Sequence, residues 1–405
     1  METSTVIQTG QQQGYSVASS RGATSGAVSS HWFNRPADQR FLSLSELRDA
    51  VAFNAEDGCE WTLAPSNLVL NAPEDPATIE DTERLSVVLQ PEQRGADPIE
   101  VAPNHWSFGQ IAGLCQAPAS YLRKMPSQLS ADCLNWSLAR HRGEPIKSYA
   151  TPAGGLRAVT GAGYGRIYDH EVVDAVSRIA GDGLGENGWK IPGLMDWGAR
   201  TYNPHVKATR ESTTLFASDR DVFIFLCDDL NPIEIGKLPS GEPDLMFRGF
   251  YVWNSEVGSK SFGIATMYLR AVCQNRILWG VEDFSEIRMR HSSGAPDRFI
   301  HEVQPSLTSF ANGNTQRLIE GVTAAKAARV ATDEDEALAF LRGRKFSASV
   351  SRSIYETVER EEGHPARSAW DMAQGITAVA RTIDRTDARI DMERQAANLL
   401  DRAVA

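Results

Sequence analysis

The chain has no Cys-x-x-Cys pair. Its five cysteines, Cys59, Cys115, Cys133, Cys227 and Cys273, stand singly, which argues against a structural zinc module and a disulfide framework. No apolar run approaches the ~18 residues that cross a bilayer. The N-terminus, METSTVIQTGQQQGYSVASS, lacks the basic start and apolar stretch of a secretory leader. The expectation is a cytoplasmic protein with no membrane span. The histidines are dispersed, at His170, His205, His291, His301 and His364 among others, with no H-E-x-x-H or H-x-H. There is no G-x-S-x-G elbow, no Gly-Lys-Ser/Thr phosphate loop and no internal repeat. These absences leave no positive case for an enzyme, and no cofactor or metal is expected.

What is present is an ordinary globular composition of 41 % hydrophobic and 23 % charged residues, which places the chain among folded soluble proteins. At 405 residues it is long enough for two or three domains. The net charge of −11 is unevenly spread. Residues 31–100 hold 5 Lys/Arg against 14 Asp/Glu, a net of −9, whereas residues 101–220 hold 13 against 10, a net of +3. The acidic surplus is therefore local, and only clustering on the folded surface decides whether phosphates are attracted or repelled.

Residues 1–30 are rich in Gly, Ser, Thr and Gln and read as a mobile tail. In SLSELRDAVAF, Ser43 and Glu46 form a capping box for a helix that turns Leu47, Val51 and Phe53 inward. Residues 60–103 are strand-like, with NAPEDPATIEDTE as a solvated loop. Ser107 and Gln110 suggest a second capping box. Beyond it, QIAGLCQAPASYLRKM resembles a helix-turn-helix but reads more simply as two core helices around Pro118. LRAVTGAGYGRIYDHEVVDAVSRIAGDG reads as strand, glycine turn and helix, capped by Asp169 and stopped by Gly181. DVFIFLCDD is apolar in both phases and suits a strand buried on two faces. After about residue 305 the pattern is helical, with Ile376, Ile383, Ile390 and Ala397 recurring every seven positions beside Val379 and Leu400. Such a stripe either covers the sheet or joins subunits. The expected architecture is α+β: a mixed or antiparallel sheet covered by helices. It divides into a tail over 1–30, an α+β core domain over 31–304 and a helical region over 305–405.

The densest block is FRGFYVWNSEVGSKSFGIATMYLRAVCQNRILWG, residues 247–280. With period two, Tyr251 and Trp253 share one strand face while Arg248 and Asn254 share the other. Bases stack on aromatic faces and phosphates pair with cations, so a strand platform of this kind suits single-stranded nucleic acid. Arg248, Lys260, Arg270 and Arg276 are assigned to phosphates, and Tyr251, Trp253 and Tyr268 to bases. Asn254 and Asn275 are assigned to polar contacts, with Arg157, Tyr164 and Arg166 extending the track. The competing reading is a plain core that would use aromatic and β-branched residues in any strand. Asp228-Asp229 form a further, weaker candidate, a carboxylate pair for Mg²⁺.

FYVWNSEVGSKSFGIATMYLRAVCQNRILWG, LRAVTGAGYGRIYDHEVV and SAWDMAQGITAVARTIDRTDARIDMERQAANLL resemble a phage/plasmid-related family catalogued as domain of unknown function nine-three-two. The matching features are Asn254, the turn Ser255 to Gly258, and Cys273 with Asn275. The resemblance implies a mobile-element setting, where accessory proteins often handle DNA. A strand-rich middle followed by helices is also similar in outline to annealing proteins of the Rad-fifty-two type. The resulting expectation is a non-enzymatic protein that binds single-stranded DNA, as a homo-oligomer, in recombination or annealing. The alternative is a protein-binding accessory factor, such as an inhibitor of a host defence enzyme, whose acidic segment mimics nucleic-acid charge. The weaker alternative is a Mg²⁺-dependent phosphoester enzyme.

Overall fold

A computed structural model describes residues 5–6, 35–73, 85–91, 97–152, 155–192, 195–196, 201–202, 207–238, 241–270, 276–277, 286–311, 313, 315–383 and 386–404. The fold is α+β. Apart from Thr5–Val6, the tail expected over 1–30 lies outside these residues, as does most of the acidic loop from 74 to 84.

The chain opens with helix α1 (Leu44–Ala55), where Ser43 Oγ accepts the Glu46 N–H at 3.0 Å. Glu46 returns the bond to Leu42 N rather than to the cap itself. Leu47 and Val51 are buried as expected, but Phe53 is 54 % exposed. Phe53 sits six positions beyond Leu47, on the far side of a 3.6-residue turn, so it cannot share that stripe.

Residues 59–161 then build a unit with its own core. Strands β1 (Cys59–Leu63), β5 (Ile146–Thr151) and β6 (Gly155–Gly161) form an antiparallel sheet in the order β1-β5-β6. Strands β2 (Leu68–Asn71), β3 (Ser86–Leu89) and β4 (Ile99–Val101) form an antiparallel meander. Helices α2 (His105–Leu114) and α3 (Ser127–Leu138) cover them through Phe108, Ile111, Leu134 and Leu138. The cap of α2 is Asn104, paired reciprocally with Ser107, and not Ser107 with Gln110. Asn at N-cap satisfies the N3 amide as well as serine does, which frees Gln110 for a contact elsewhere. The segment resembling a DNA reader lies in this core, with Ile111 and Leu122 buried.

Among the described residues, the second unit is an eight-stranded antiparallel sheet. Its central strands are β9 (Val222–Lys237), β10 (Pro243–Asn254) and β11 (Phe262–Arg270). β8 (Leu215–Ala217) and Arg40–Phe41 extend the sheet beyond β9, and β7 (Trp189–Lys190) also pairs with β9. β12 (Glu286–Met289) and Arg276–Ile277 pair with β11. Every described residue from Val222 to Asp228 is buried, so this strand is covered on both faces.

One face packs against α1, α4 (Asp169–Ala180) and the C-terminal helices: α5 (Gln304–Ala311), α6 (Gln316–Ala327), α7 (Glu334–Gly343), α8 (Ala348–Glu362), α9 (Ala369–Ala380) and α10 (Thr386–Val404). Leu318, Ile354, Ile376 and Leu400 join Ile224, Val252 and Ile264 in one core, so the helical region shares the sheet's interior. The opposite face carries Phe223, Phe225, Phe247, Tyr251, Trp253 and Ala397. The seven-residue recurrence spans two helices, because α9 ends at Ala380 and α10 begins at Thr386. Ile390 lies among the side chains not described. Ile376, Ala397 and Leu400 cover the sheet.

Candidate functional site

The Asn254-Ser-Glu-Val-Gly-Ser259 turn leaves the end of β10 and inserts between the two units. Gly258 has φ +87, a left-handed conformation that side chains resist. The turn is held on all sides. Trp106 Nε1 and Gln110 Nε2, both on α2, donate to Val257 O at 2.9 Å. Tyr164 Oη donates to Ser255 O at 2.8 Å, and its ring stacks on His291 with centroids 4.8 Å apart. Ser255 Oγ donates to Arg220 O at 2.6 Å.

Glu256 is the centre of this knot and is 1 % exposed. Arg157 donates to its carboxylate and also to Asn54 O at 2.8 Å. Arg166 donates to Glu256 O and, at 2.5 Å, to Glu60 Oε1, with its guanidinium 4.2 Å from the centre of the Tyr149 ring. The remaining Glu256 oxygen takes the Asp169 N–H at 3.0 Å. Asn254 Nδ2 donates to Ile167 O and Asp169 Oδ1, both at 2.8 Å. Asp169 is therefore a buried first-turn residue and not the helix cap, a position taken by Tyr168. Burial, and next to it the Glu256 charge, push the Asp169 carboxyl well above the usual carboxylate range. Burial likewise raises Asp219 to about 6, and it holds His291 and His105 down to about 4.

Four of the residues assigned to a nucleic-acid track, Arg157, Tyr164, Arg166 and Asn254, thus converge, but as an internal tie between units. A buried guanidinium requires an anion or carbonyls around it, and Glu256 and its neighbours supply them. The lone acidic residue in the turn was the available signal, in a sequence that sends arginines toward it from two segments.

The strand residues follow the expected phase but not the expected exposure. Tyr251 and Trp253 stack on one another with centroids 5.4 Å apart, and Arg248, Tyr268 and Arg270 occupy the other face. Tyr251 and Tyr268 are buried at 0 % and 1 % exposure, so neither offers a ring to a base. Arg248 donates to Ala311 O and Gly313 O at the end of α5, where helix carbonyls lack partners. Arg270 is held by Asp244 at 2.8 and 3.0 Å and by Glu362 at 2.6 Å. The reason is common to all: both faces of the sheet are covered, so each of these guanidinium groups finds its partners inside the protein. Asn275 and the Arg276 side chain lie outside the described residues.

Two of the expected residues do reach a cavity. A groove of about 410 Å³ opens beside the turn, between Trp253, Lys260, Arg288 of β12 and Arg394 of α10, with Phe223, Ser259, Ser261 and Asp391 completing it. Lys260 Nζ lies 5.0 Å from the Phe223 ring centre, and the Arg288 guanidinium lies 5.6 Å from that of Trp253. Arg394 pairs with Asp391 at 3.0 Å. Among the described residues, three cations and one carboxylate, Asp391, line the groove. Arg288 and Arg394 escaped sequence reasoning because they come from a strand and a helix that meet Trp253 only in the fold.

Of the candidate carboxylate pair, Asp228 is engaged within its own strand. Asp228 accepts Leu230 N, Asn231 N and Asn231 Nδ2, at 3.1, 3.3 and 2.8 Å, and so shapes the bulge of β9. The Asp229 side chain lies outside the described residues. Among the described residues no three His, Cys, Asp or Glu side chains are grouped to hold a metal ion. No helix among them is long and apolar enough to cross a membrane.

Residues 158–383, more than half of the chain, match the family model described as Domain of unknown function (DUF932). No curated protein and no solved structure matches the chain.

Proposed function

We propose a function from the geometry of a chain that belongs to the family described as Domain of unknown function (DUF932): it binds single-stranded DNA, without catalysis, through the groove at Trp253. The carrying observation is the convergence of Lys260, Arg288 and Arg394 on a cavity walled by two aromatic rings. Single strands are held by backbone charge and by stacking on aromatic rings or on guanidinium planes. Here the two rings already carry cations, so Arg288 presents its outer face to a base while Lys260 and Arg394 meet phosphates. Lys260 has no carboxylate partner among the described residues. A strand-end groove replaces the strand-face platform that the sequence pointed to.

One groove grips a short stretch of backbone, so this reading includes a homo-oligomer that lines up several grooves along a strand. A cytoplasmic accessory role in phage or plasmid DNA handling, annealing included, belongs to the same proposal. The overall charge of −11 opposes binding, which makes affinity depend on the local cluster and on salt. Two phosphate contacts give a slope of about −1.4 in log affinity against log salt, a loss of roughly 7-fold between ~50 and ~200 mM. Fluorescence anisotropy with labelled oligothymidine at those two concentrations tests it. The Lys260→Ala/Arg288→Ala/Arg394→Ala variant is expected to lose the salt-sensitive binding. No binding by the wild type at the lower salt, or unchanged binding by the variant, would sink the reading.

A further inference from the structure

A second cavity, of about 610 Å³, lies at the opposite end of the sheet, where β9 ends, β10 begins and β11 ends against α6, α8 and the start of α9. Its charges do not balance. Asp244 is taken by both nitrogens of the Arg270 fork and by Lys326 at 3.3 Å. Glu362 is taken by Arg270. Asp371 Oδ2 accepts the backbone N–H groups of Arg367 and Ser368, at 3.0 and 2.9 Å, in the capping box of α9, whose cap is Ser368. The three carboxylates in the wall are thus engaged, and they hold only Arg270 and Lys326 among its cations. Lys237, Arg329 and Arg367 remain on the rim, solvent-exposed and without a carboxylate partner among the described residues.

The floor is buried and the rim is exposed. Arg270 is 4 % exposed and fixed by three charged bonds, whereas the rim side chains are exposed, Arg329 Nε donating to Ala331 O at 3.4 Å. Three cations without a paired carboxylate, in a wall whose five Lys and Arg outnumber its three carboxylates, suit a guest with several charges close together, more than they suit a single carboxylate. The Trp370 ring in the wall is 3 % exposed and lies under Lys326, 5.7 Å from its Nζ, so it has no face for a base. We propose that this cleft binds a compact polyphosphate, recognised through its phosphates alone. The site is independent of the groove at Trp253.

The test is isothermal titration of the full chain with sodium triphosphate against sodium chloride of equal ionic strength. Saturable binding to triphosphate is expected. Arg329→Ala/Arg367→Ala removes two exposed side chains without disturbing the core and is expected to weaken binding by about tenfold or more. The Lys260→Ala/Arg288→Ala/Arg394→Ala variant is expected to bind triphosphate like wild type, which separates this proposal from the one above. A nucleoside triphosphate is expected to bind no more than a few-fold differently. The proposal is overturned by no binding beyond the chloride control, by undiminished binding in the double variant, by a strong preference for the nucleoside, or by displacement of triphosphate with oligothymidine.

Discussion

At the scale of single residues, the buried histidine behind the turn carries a signed expectation. His291 is 9 % exposed, bonded through Nδ1 to Gly165 O at 3.1 Å and stacked on Tyr164. Burial holds its pKa down to about 4. Its folded value lies below the unfolded one, so the unfolded chain takes the proton first as pH falls. The stability it supplies is complete above about pH 6.5 and is lost as pH falls toward 4, by up to ~3 kcal/mol. His291→Phe keeps the stacked ring but cannot titrate. The gap in urea midpoint between wild type and His291→Phe should therefore narrow, or reverse, between neutral pH and about pH 4.5. A gap that stays constant would show that His291 does not couple to folding. The neighbourhood of this histidine was not legible in the sequence, because Tyr164 lies 127 positions away and nothing in local spacing joins them.

At the scale of elements, alternation told correctly which strand residues share a face and could not tell what lies above that face. Tyr251 and Trp253 are paired as the period of two requires, but the cover on their side includes Ala397, more than 140 residues later. Helix caps showed the same division. Ser43 caps α1 as its spacing indicates, whereas Asp169 was withdrawn from capping by Asn254, a partner 85 residues distant. The pairing of β10 with β11 also explains a gap in the apolar pattern. Trp253 lies opposite Gly263, and a Cβ on Gly263 would run into the indole ring. The glycine makes room for the ring that walls the groove. Gly263→Val is expected to displace Trp253 and to cost about 1–3 kcal/mol, as overpacking does. Denaturant unfolding followed by tryptophan fluorescence would show it. An unshifted midpoint with an unchanged emission maximum would mean that the indole does not lie over the glycine.

At the scale of the whole molecule, the fold class and the helical end were readable from periodicity. The division into two cores and the tie between them were not. The tie also sets a limit on the segment shared with the family. Residues 158–383 contain Glu256, Arg166 and Asn254 but exclude Arg157 and Glu60, together with Leu44 and Leu400 of the main core. Removing one partner of a buried ion pair costs about 3–5 kcal/mol, a large part of the ~5–15 kcal/mol by which domains are stable. A fragment of residues 158–383 is accordingly expected to lack a cooperative thermal transition by near-ultraviolet circular dichroism. A sharp transition in that fragment would show that the turn needs no partner from the preceding unit.

The turn also dictates a timetable. Arg157 and Glu256 are 99 residues apart, and Glu60 and Arg166 are 106 apart. A ribosome adding ~5–20 residues each second has finished the first sheet several seconds before Glu256 emerges. Through that interval Arg157 has yet to meet the Glu256 carboxylate that it holds in the folded chain, so the nascent first unit is a lock waiting for its key. Holding the growing chain open until the 250s arrive, and closing it in one late step, is a task that this single glutamate performs for both halves.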